Sequence, residues 1–230
     1  MLLKTLLVST LVAPSMLLAQ TVLINFGGST TGQPETWNNF SETDLAVLSS
    51  DLLDTTGTGT GIQLETTDAF YGINGNGTTS ASAPYPSSAT GNSFYDANST
   101  WGSGSGNDLA VLEFSGLDVG KTYSFTLYAS RIGPSDNRSS LYTLQGENSG
   151  SAALNATGNI TSTVTVSDIT PTAGGLITLT ISPDAANNNS SGFIYLGVVE
   201  MTAVPEPATV ALGMATAAFA GCVWLRRRRR

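Results

Sequence analysis

The central part of the chain is written in period two. In KTYSFTLYA, residues 121–129, Tyr123, Phe125, Leu127 and Ala129 fall on one face of an extended segment, with Thr122, Ser124 and Thr126 on the other. A helix would scatter those apolar residues around its circumference, whereas a strand gathers them on one side. Ile160 to Val166 alternates likewise, with Val164 and Val166 inward and Thr161, Thr163 and Thr165 outward. Leu176 to Ile181 repeats the pattern through Ile177, Leu179 and Ile181. Phe193 to Met201 is apolar on both faces, which predicts a central strand. Thr21 to Phe26, Gly61 to Glu65, Leu109 to Phe114 and Leu141 to Gln145 read as further short strands, and one helical turn is predicted within Ser41 to Leu53. Gly, Asn, Ser and Pro clusters separate these segments. Many short strands punctuated by turns predict an all-β sandwich or barrel.

What the chain lacks narrows its chemistry. It has no histidine, and its single cysteine, Cys222, lies in an apolar run near the C-terminus. A Ser-His-Asp or Cys-His centre is therefore excluded, as is a zinc site with His or Cys ligands. The usual general base near neutral pH is missing, and no disulfide can form in the body of the chain. Residues 20–203 carry 16 acidic side chains against Lys121, Arg131 and Arg138, a net charge of −13. Such a surface repels phosphate backbones, so nucleic acid is not an expected partner.

The two ends follow different rules from the body. Met1-Leu2-Leu3-Lys4 is a short positive segment, followed by an apolar run from Leu6 to Leu18. That order is a secretory signal peptide, residues 1–19, with cleavage expected after Ala19. At the other end, Ala208 to Leu225 is uncharged. As a helix these 18 residues would be about 27 Å long, close to the ~30 Å hydrocarbon core of a bilayer. Arg226, Arg227, Arg228, Arg229 and Arg230 form a cationic cluster that stays on the cytoplasmic side, and Trp224 stands where an indole meets the headgroups. The expected organisation is a signal peptide (1–19), an ectodomain (20–203) and a C-terminal segment (204–230) with a transmembrane helix over 208–225.

Val204-Pro205-Glu206-Pro207, the apolar helix and the terminal arginines together resemble the PEP-CTERM sorting signal of Gram-negative bacteria. The resemblance implies that Pro205, Glu206 and Pro207 are recognised by an exosortase, a membrane protease that cuts at or near the tripeptide. It also implies a temporary anchor in the inner membrane and delivery to the envelope, surface or extracellular matrix. The body carries a second resemblance. INFG at 24–27, GLDVGKTYSFTLYAS at 116–130 and GFIYLGVVEM at 192–201 are similar to galactose-binding-type jelly-roll domains. That likeness implies a single jelly-roll-like β-sandwich whose last strand returns beside the first.

Three kinds of site are candidates in the ectodomain. Trp101, Tyr95, Trp37, Tyr71 and Tyr85 lie in or beside loops, where a ring can stack on the apolar face of a sugar. Any of them can instead cover an end of the core. Asp96 and Asn98 begin a stretch with oxygen side chains at alternate positions, a pattern suited to Ca2+. Its glycine and its twelfth residue depart from the calcium-loop spacing, which favours an ordinary polar loop. The Asp184 to Asn189 loop is a weaker version of the same idea. Glu65, Asp68, Asp96, Asp108 and Glu113 are the carboxylates from which a glycosidase pair would be drawn, but no spacing selects two of them. The expectation is a non-enzymatic, exported envelope or matrix protein with a structural or adhesive role and no required cofactor. A carbohydrate-binding module for exopolysaccharide is the alternative, and a carboxylate-dependent polysaccharide-cleaving enzyme the third reading.

Processing gives the first test. Intact-mass measurement of surface-located protein is expected to find a species that begins near Gln20 and ends near the Pro205-Glu206-Pro207 region. Retention of Arg226 to Arg230 on most of that protein would contradict the sorting expectation.

Overall fold

The computed structural model describes residues 19–28, 34–45, 51–99, 101 and 108–205, and the compact unit runs from Ala19 to Val204. The signal peptide before Ala19, Glu206, Pro207, the 208–225 helix and Arg226 to Arg230 lie outside the described residues. Among the described residues no helix is long and apolar enough to cross a membrane.

The alternating segments are strands. In chain order they are β1 (Gln20–Phe26), β2 (Asn38–Phe40), β3 (Gln63–Asp68), β4 (Gly72–Asn74), β5 (Ser93–Asp96), β6 (Ala110–Ser115), β7 (Lys121–Tyr128), β8 (Ser139–Gln145), β9 (Ser149–Asn155), β10 (Val164–Ile169), β11 (Ile177–Pro183), β12 (Ile194–Leu196) and β13 (Val198–Pro205). One short helix, α1 (Ser87–Thr90), precedes β5. A first sheet has the order β10-β7-β13-β1-β2, a second β3-β6-β11-β8-β9, and a third, smaller one β12-β5-β4. The last strand returns beside the first: β1 and β13 run antiparallel, with Gln20 opposite Ala203 and Ile24 opposite Val199.

Burial follows the period-two reading. Along β7, Tyr123, Phe125 and Leu127 are buried while Thr122, Ser124 and Thr126 are only partly covered. Phe125 meets Phe114 of β6 edge to face, with ring centroids 5.3 Å apart. Phe26, Phe40, Phe70 and Phe94 form a second aromatic knot, centred on contacts of Phe94 with Phe26 at 5.6 Å and Phe70 at 5.2 Å. Both knots belong to one continuous core that also takes in Leu112, Leu144, Leu179, Ile181 and Met201. Such burial is the main force that holds the sheets face to face.

Four sequence expectations change. The apolar run from Phe193 to Met201 is two strands, broken at Gly197. Gly197 donates to the Tyr128 carbonyl (2.9 Å) and accepts from the Phe26 N–H (2.8 Å). A Cβ there would stand 3.1 Å from the Tyr128 carbonyl oxygen, so a glycine suits the point where the chain steps from the third sheet to the first. The strand expected over Ile160 to Val166 is instead Val164–Ile169. The Asn159 amide explains the shift: it donates to the Ala129 and Ser162 carbonyls and accepts the Ser162 N–H, which ties the preceding residues into a turn. Of the expected helical turn, the described residues 41–45 and 51–53 are not helical. Finally, β2, β4, β5 and β9 are additions, too short or too rich in small residues to show a clear period.

Side-chain hydrogen bonds pin the segment that crosses beside β1. Asn38 donates to the Leu23 and Leu53 carbonyls and accepts the Leu53 N–H. Asp54 accepts from the Thr56 hydroxyl (2.6 Å), the Thr56 N–H (2.9 Å) and the Thr58 N–H (3.0 Å). These bonds, the Thr56 hydroxyl foremost, lower its pKa from 3.8 to about 2, against the opposing effect of burial.

Two tests follow from the packing. Phe125→Ala is expected to cost about 3–5 kcal/mol, the range for a large ring lost from a core. Thr126→Ala, which loses only a half-exposed hydroxyl contact to Thr165, should cost less than about 1 kcal/mol. Denaturant unfolding measures both, and equal costs would contradict the inward assignment of Phe125. For Asp54, a depressed folded pKa means that its contribution to stability is complete above about pH 4 and is lost as pH falls toward 2. Asp54→Asn should therefore flatten the stability profile between those two values, and an unchanged acid limb would contradict the role given to this loop.

Candidate functional site

The third sheet carries a row of tyrosines. Tyr95, the centre of β5, stands opposite Tyr195 of β12 on one side and Gly72 of β4 on the other. A Cβ on Gly72 would lie 3.4 Å from the Tyr95 ring, at ordinary contact distance, so that ring packs directly over this position. Phe193, just before β12, stacks on Tyr195 with centroids 6.2 Å apart and planes 18° apart, and lies 5.8 Å from Tyr95. Trp101 closes the row from the turn after β5, its ring 5.1 Å from Phe193 at 65°. Together with Ile73, Asn74, Gly75, Asn76, Arg131 and Arg138, these rings line a cleft of about 250 Å3.

Loops fix each member of the cleft. The Trp101 N–H closes a turn onto the Asn98 carbonyl (3.0 Å). Asn98 is in turn held to the 189–192 loop, its N–H on the Ser191 carbonyl and its amide on the Ser190 carbonyl. Gly192 adopts φ +61°, a left-handed backbone that favours glycine at this point of the loop. Three consecutive asparagines brace the other side. Asn187 donates to the Ser139 and Phe193 carbonyls, Asn188 accepts the Asn137 N–H, and Asn189 donates to Asp136. Asp136 also binds Arg138 Nε at 3.0 Å. From there the Arg138 guanidinium donates to the Tyr195 hydroxyl (2.7 Å) and lies 4.6 Å over the Phe193 ring, a cation–π contact. Burial pushes the Tyr195 phenol up, opposed by Arg138 and Arg131. Burial likewise raises Tyr95, opposed by an interaction with the Trp101 indole.

The floor of the cleft is closed and its rim is open. Tyr195 and Phe193 are buried, Tyr95 is half-covered, and Trp101 keeps 47% of its surface exposed. Among the described residues there are eight exposed large apolar side chains; Trp101 and Ile73 line this cleft and Tyr71 packs on Tyr95 at 5.6 Å. Apolar exposure gathered at one place is the mark of a binding surface. Rings with polar groups between them suit a ligand that is apolar on its faces and polar at its edges.

The five candidate rings thus separate into two places. Tyr95, Trp101 and Tyr71 come together at the third sheet. Trp37 is only 7% exposed and packs against Tyr85, which in turn meets Tyr128 and donates to Glu200 at 2.9 Å. Trp37 and Tyr85 cover the outer face of β7 and β13 rather than offering a free ring. Asp96 is buried and accepts the Ala97 N–H, while Asn98 serves the turn below Trp101. No group of three or more acidic or sulfur side chains suited to a metal is present among the described residues. Of the five carboxylates considered for catalysis, Glu65 and Glu113 stand directly opposite each other across β3 and β6 on the open face of the second sheet. Asp68 lies past a register shift in β3, and Asp108 sits in a turn with φ 45°. Arg131, Arg138, Phe193, Tyr195, Ile73 and the asparagine brace escaped the sequence reading. The one signal available was that the ectodomain's only arginines stand seven residues apart.

A β-sandwich with an open aromatic cleft on a small third sheet is the class that fold and site define. Residues 203–230 match the PEP-CTERM protein-sorting motif. That motif is the recognition signal for exosortase and marks the protein for export and processing at the membrane. Its first three residues, Ala203 to Pro205, are the last three of β13. No curated protein sequence matches the chain. Among solved structures, the ANXUR2 extracellular domain from Arabidopsis thaliana aligns at 13% identity with a TM-score of 0.49, over 82% of this chain and 50% of that one. The ANXUR1 extracellular domain from the same plant aligns at 14% with a TM-score of 0.46, over 81% and 49%. TmCBM61, solved in complex with beta-1,4-galactotriose, aligns at 12% with a TM-score of 0.27, over 62% of this chain and 82% of that one. The chain spans about half the length of the extracellular domains it matches.

Proposed function

We propose that the protein is a non-enzymatic, adhesive component of the cell envelope or extracellular matrix, which holds extracellular polysaccharide in the cleft of its third sheet. The observation that carries this reading is Trp101: a large ring, 47% exposed, held on a braced turn above a buried aromatic floor. Sugars offer such a ring an apolar face of C–H groups and a rim of hydroxyls. Asn76 and the two arginines stand where those hydroxyls would be met. Export supports the reading, since polysaccharide is the main polymer such a protein meets outside the cell. The absence of histidine throughout the chain and of cysteine from residues 20–203 favours binding over catalysis.

The test is a glycan array with the full chain in mild detergent, followed by Trp101→Ala. Stacking a sugar on one ring buries roughly 60 Å2, which at ~25 cal/mol per Å2 is about 1.5 kcal/mol, or about tenfold in Kd. Trp101→Ala should weaken glycan binding by about that factor with the melting temperature almost unchanged. A drop of many degrees would instead make Trp101 part of the core. Failure of the wild type to bind any glycan at millimolar concentration would leave a purely structural role.

A further inference from the structure

Residues 20–203 hold only three basic side chains, and two of them line this one cleft. The third, Lys121, pairs with Asp118 at 3.5 Å. Arg131 and Arg138 come from the two ends of the β7–β8 connection and converge on the Tyr195 hydroxyl. Their circumstances differ. Arg138 is neutralised by Asp136 and committed to Tyr195 and Phe193. Arg131 has no carboxylate partner among the described residues, and Nη1 donates to the neighbouring Ile132 carbonyl (2.6 Å). Two acids beside the cleft are held by other groups. Asp136 serves Arg138 and Asn189, and Asp96 is buried in β5 with the Ala97 N–H on its carboxylate. Backbone bonds hold Arg131 in place: its N–H meets the Ala156 carbonyl (2.7 Å), and its carbonyl accepts the Gly158 N–H (2.9 Å).

An unneutralised guanidinium beside exposed rings stands out on a body of net charge −13. Building on the polysaccharide reading above, we infer that the cleft takes an acidic sugar, with the pyranose ring against Trp101 and its carboxylate on Arg131. The planar guanidinium offers a carboxylate two parallel N–H donors, which fixes orientation as well as charge. The acidic surface elsewhere repels the same ligand, so attraction is confined to the cleft. A neutral sugar would stack equally well but leave the Arg131 charge unmet.

Isothermal titration calorimetry on the full chain in neutral detergent tests this with matched pairs: oligoglucuronate, oligogalacturonate and oligomannuronate, each against its carboxyl-reduced neutral counterpart. At least one acidic member should bind about tenfold tighter than its neutral partner, the gain expected of one charge-assisted pair. Arg131→Gln should abolish that preference by lowering acidic affinity about tenfold more than neutral affinity, and Arg131→Lys, which keeps the charge but not the fork, should show an intermediate preference. Trp101→Ala should weaken both members of a pair together. Equal affinity within every pair, or a preference that survives Arg131→Gln, overturns the acidic-sugar inference and leaves the polysaccharide reading standing. Binding of none of the six overturns the acidic-sugar inference, and the glycan array above then decides the polysaccharide reading. If Arg131→Gln melts far below the wild type, the comparison of Arg131→Lys with wild type decides, and an unchanged preference counts against the inference.

Discussion

The segment from Phe193 to Val199 has no polar face. Along it, every residue is buried, so both sides of the extended chain must be kept from water. The fold meets that demand by placing β13 between β7 and β1 in the first sheet and laying β12 over the second sheet. Buried backbone groups must also find partners. Tyr195 finds them in the second sheet, where its N–H meets the Ser140 hydroxyl (2.9 Å) and its carbonyl accepts from the Tyr142 hydroxyl (2.6 Å). The step at Gly197 follows, and with it a small third sheet that the alternating strands alone would not require. The cleft is a consequence of that step, because Phe193 and Tyr195 turn their rings toward the loops at the sheet's edge.

Much of the fold was legible in the sequence, for a simple reason. Strands that are covered on one face and wet on the other must alternate, and β6, β7, β8 and β11 do. The pairing of first and last strands was implied by likeness to jelly-roll domains and is present. The errors arise where local hydrogen bonding overrides alternation. Asn159 turns a Thr-rich stretch that reads as strand into a loop, and Gly197 divides an apolar run that reads as one strand. The short strands β2 and β4 owe their conformation to their neighbours, which no local pattern records.

The site was half legible. Tyr95, Trp101 and Tyr71 were recognisable as rings beside turns, and three-dimensional structure unites them. Trp37 and Tyr85 share the same sequence character but cover the outer face of the first sheet. Only the fold distinguishes the two sets, since burial depends on what the Pro84 to Thr90 region packs against. The arginines were less accessible still. Nothing local says that the connection after β7 lies against the loop before β12, with Asn187 to Asn189 stitched between them. That loop looked like a poor calcium loop because asparagines serve both purposes; here Asn187 satisfies backbone carbonyls, Asn188 accepts a backbone N–H and Asn189 binds Asp136.

Chemical-shift mapping by NMR tests most directly whether the cleft is where ligand binds. On titration with an oligosaccharide that the protein binds, the amides of Asn76, Tyr95, Trp101, Arg131 and Phe193 should shift together and saturate with one Kd, while those of Trp37, Glu65 and Glu113 stay fixed. Shifts centred on the open face of β3 and β6, around Glu65 and Glu113, would contradict the cleft as the site.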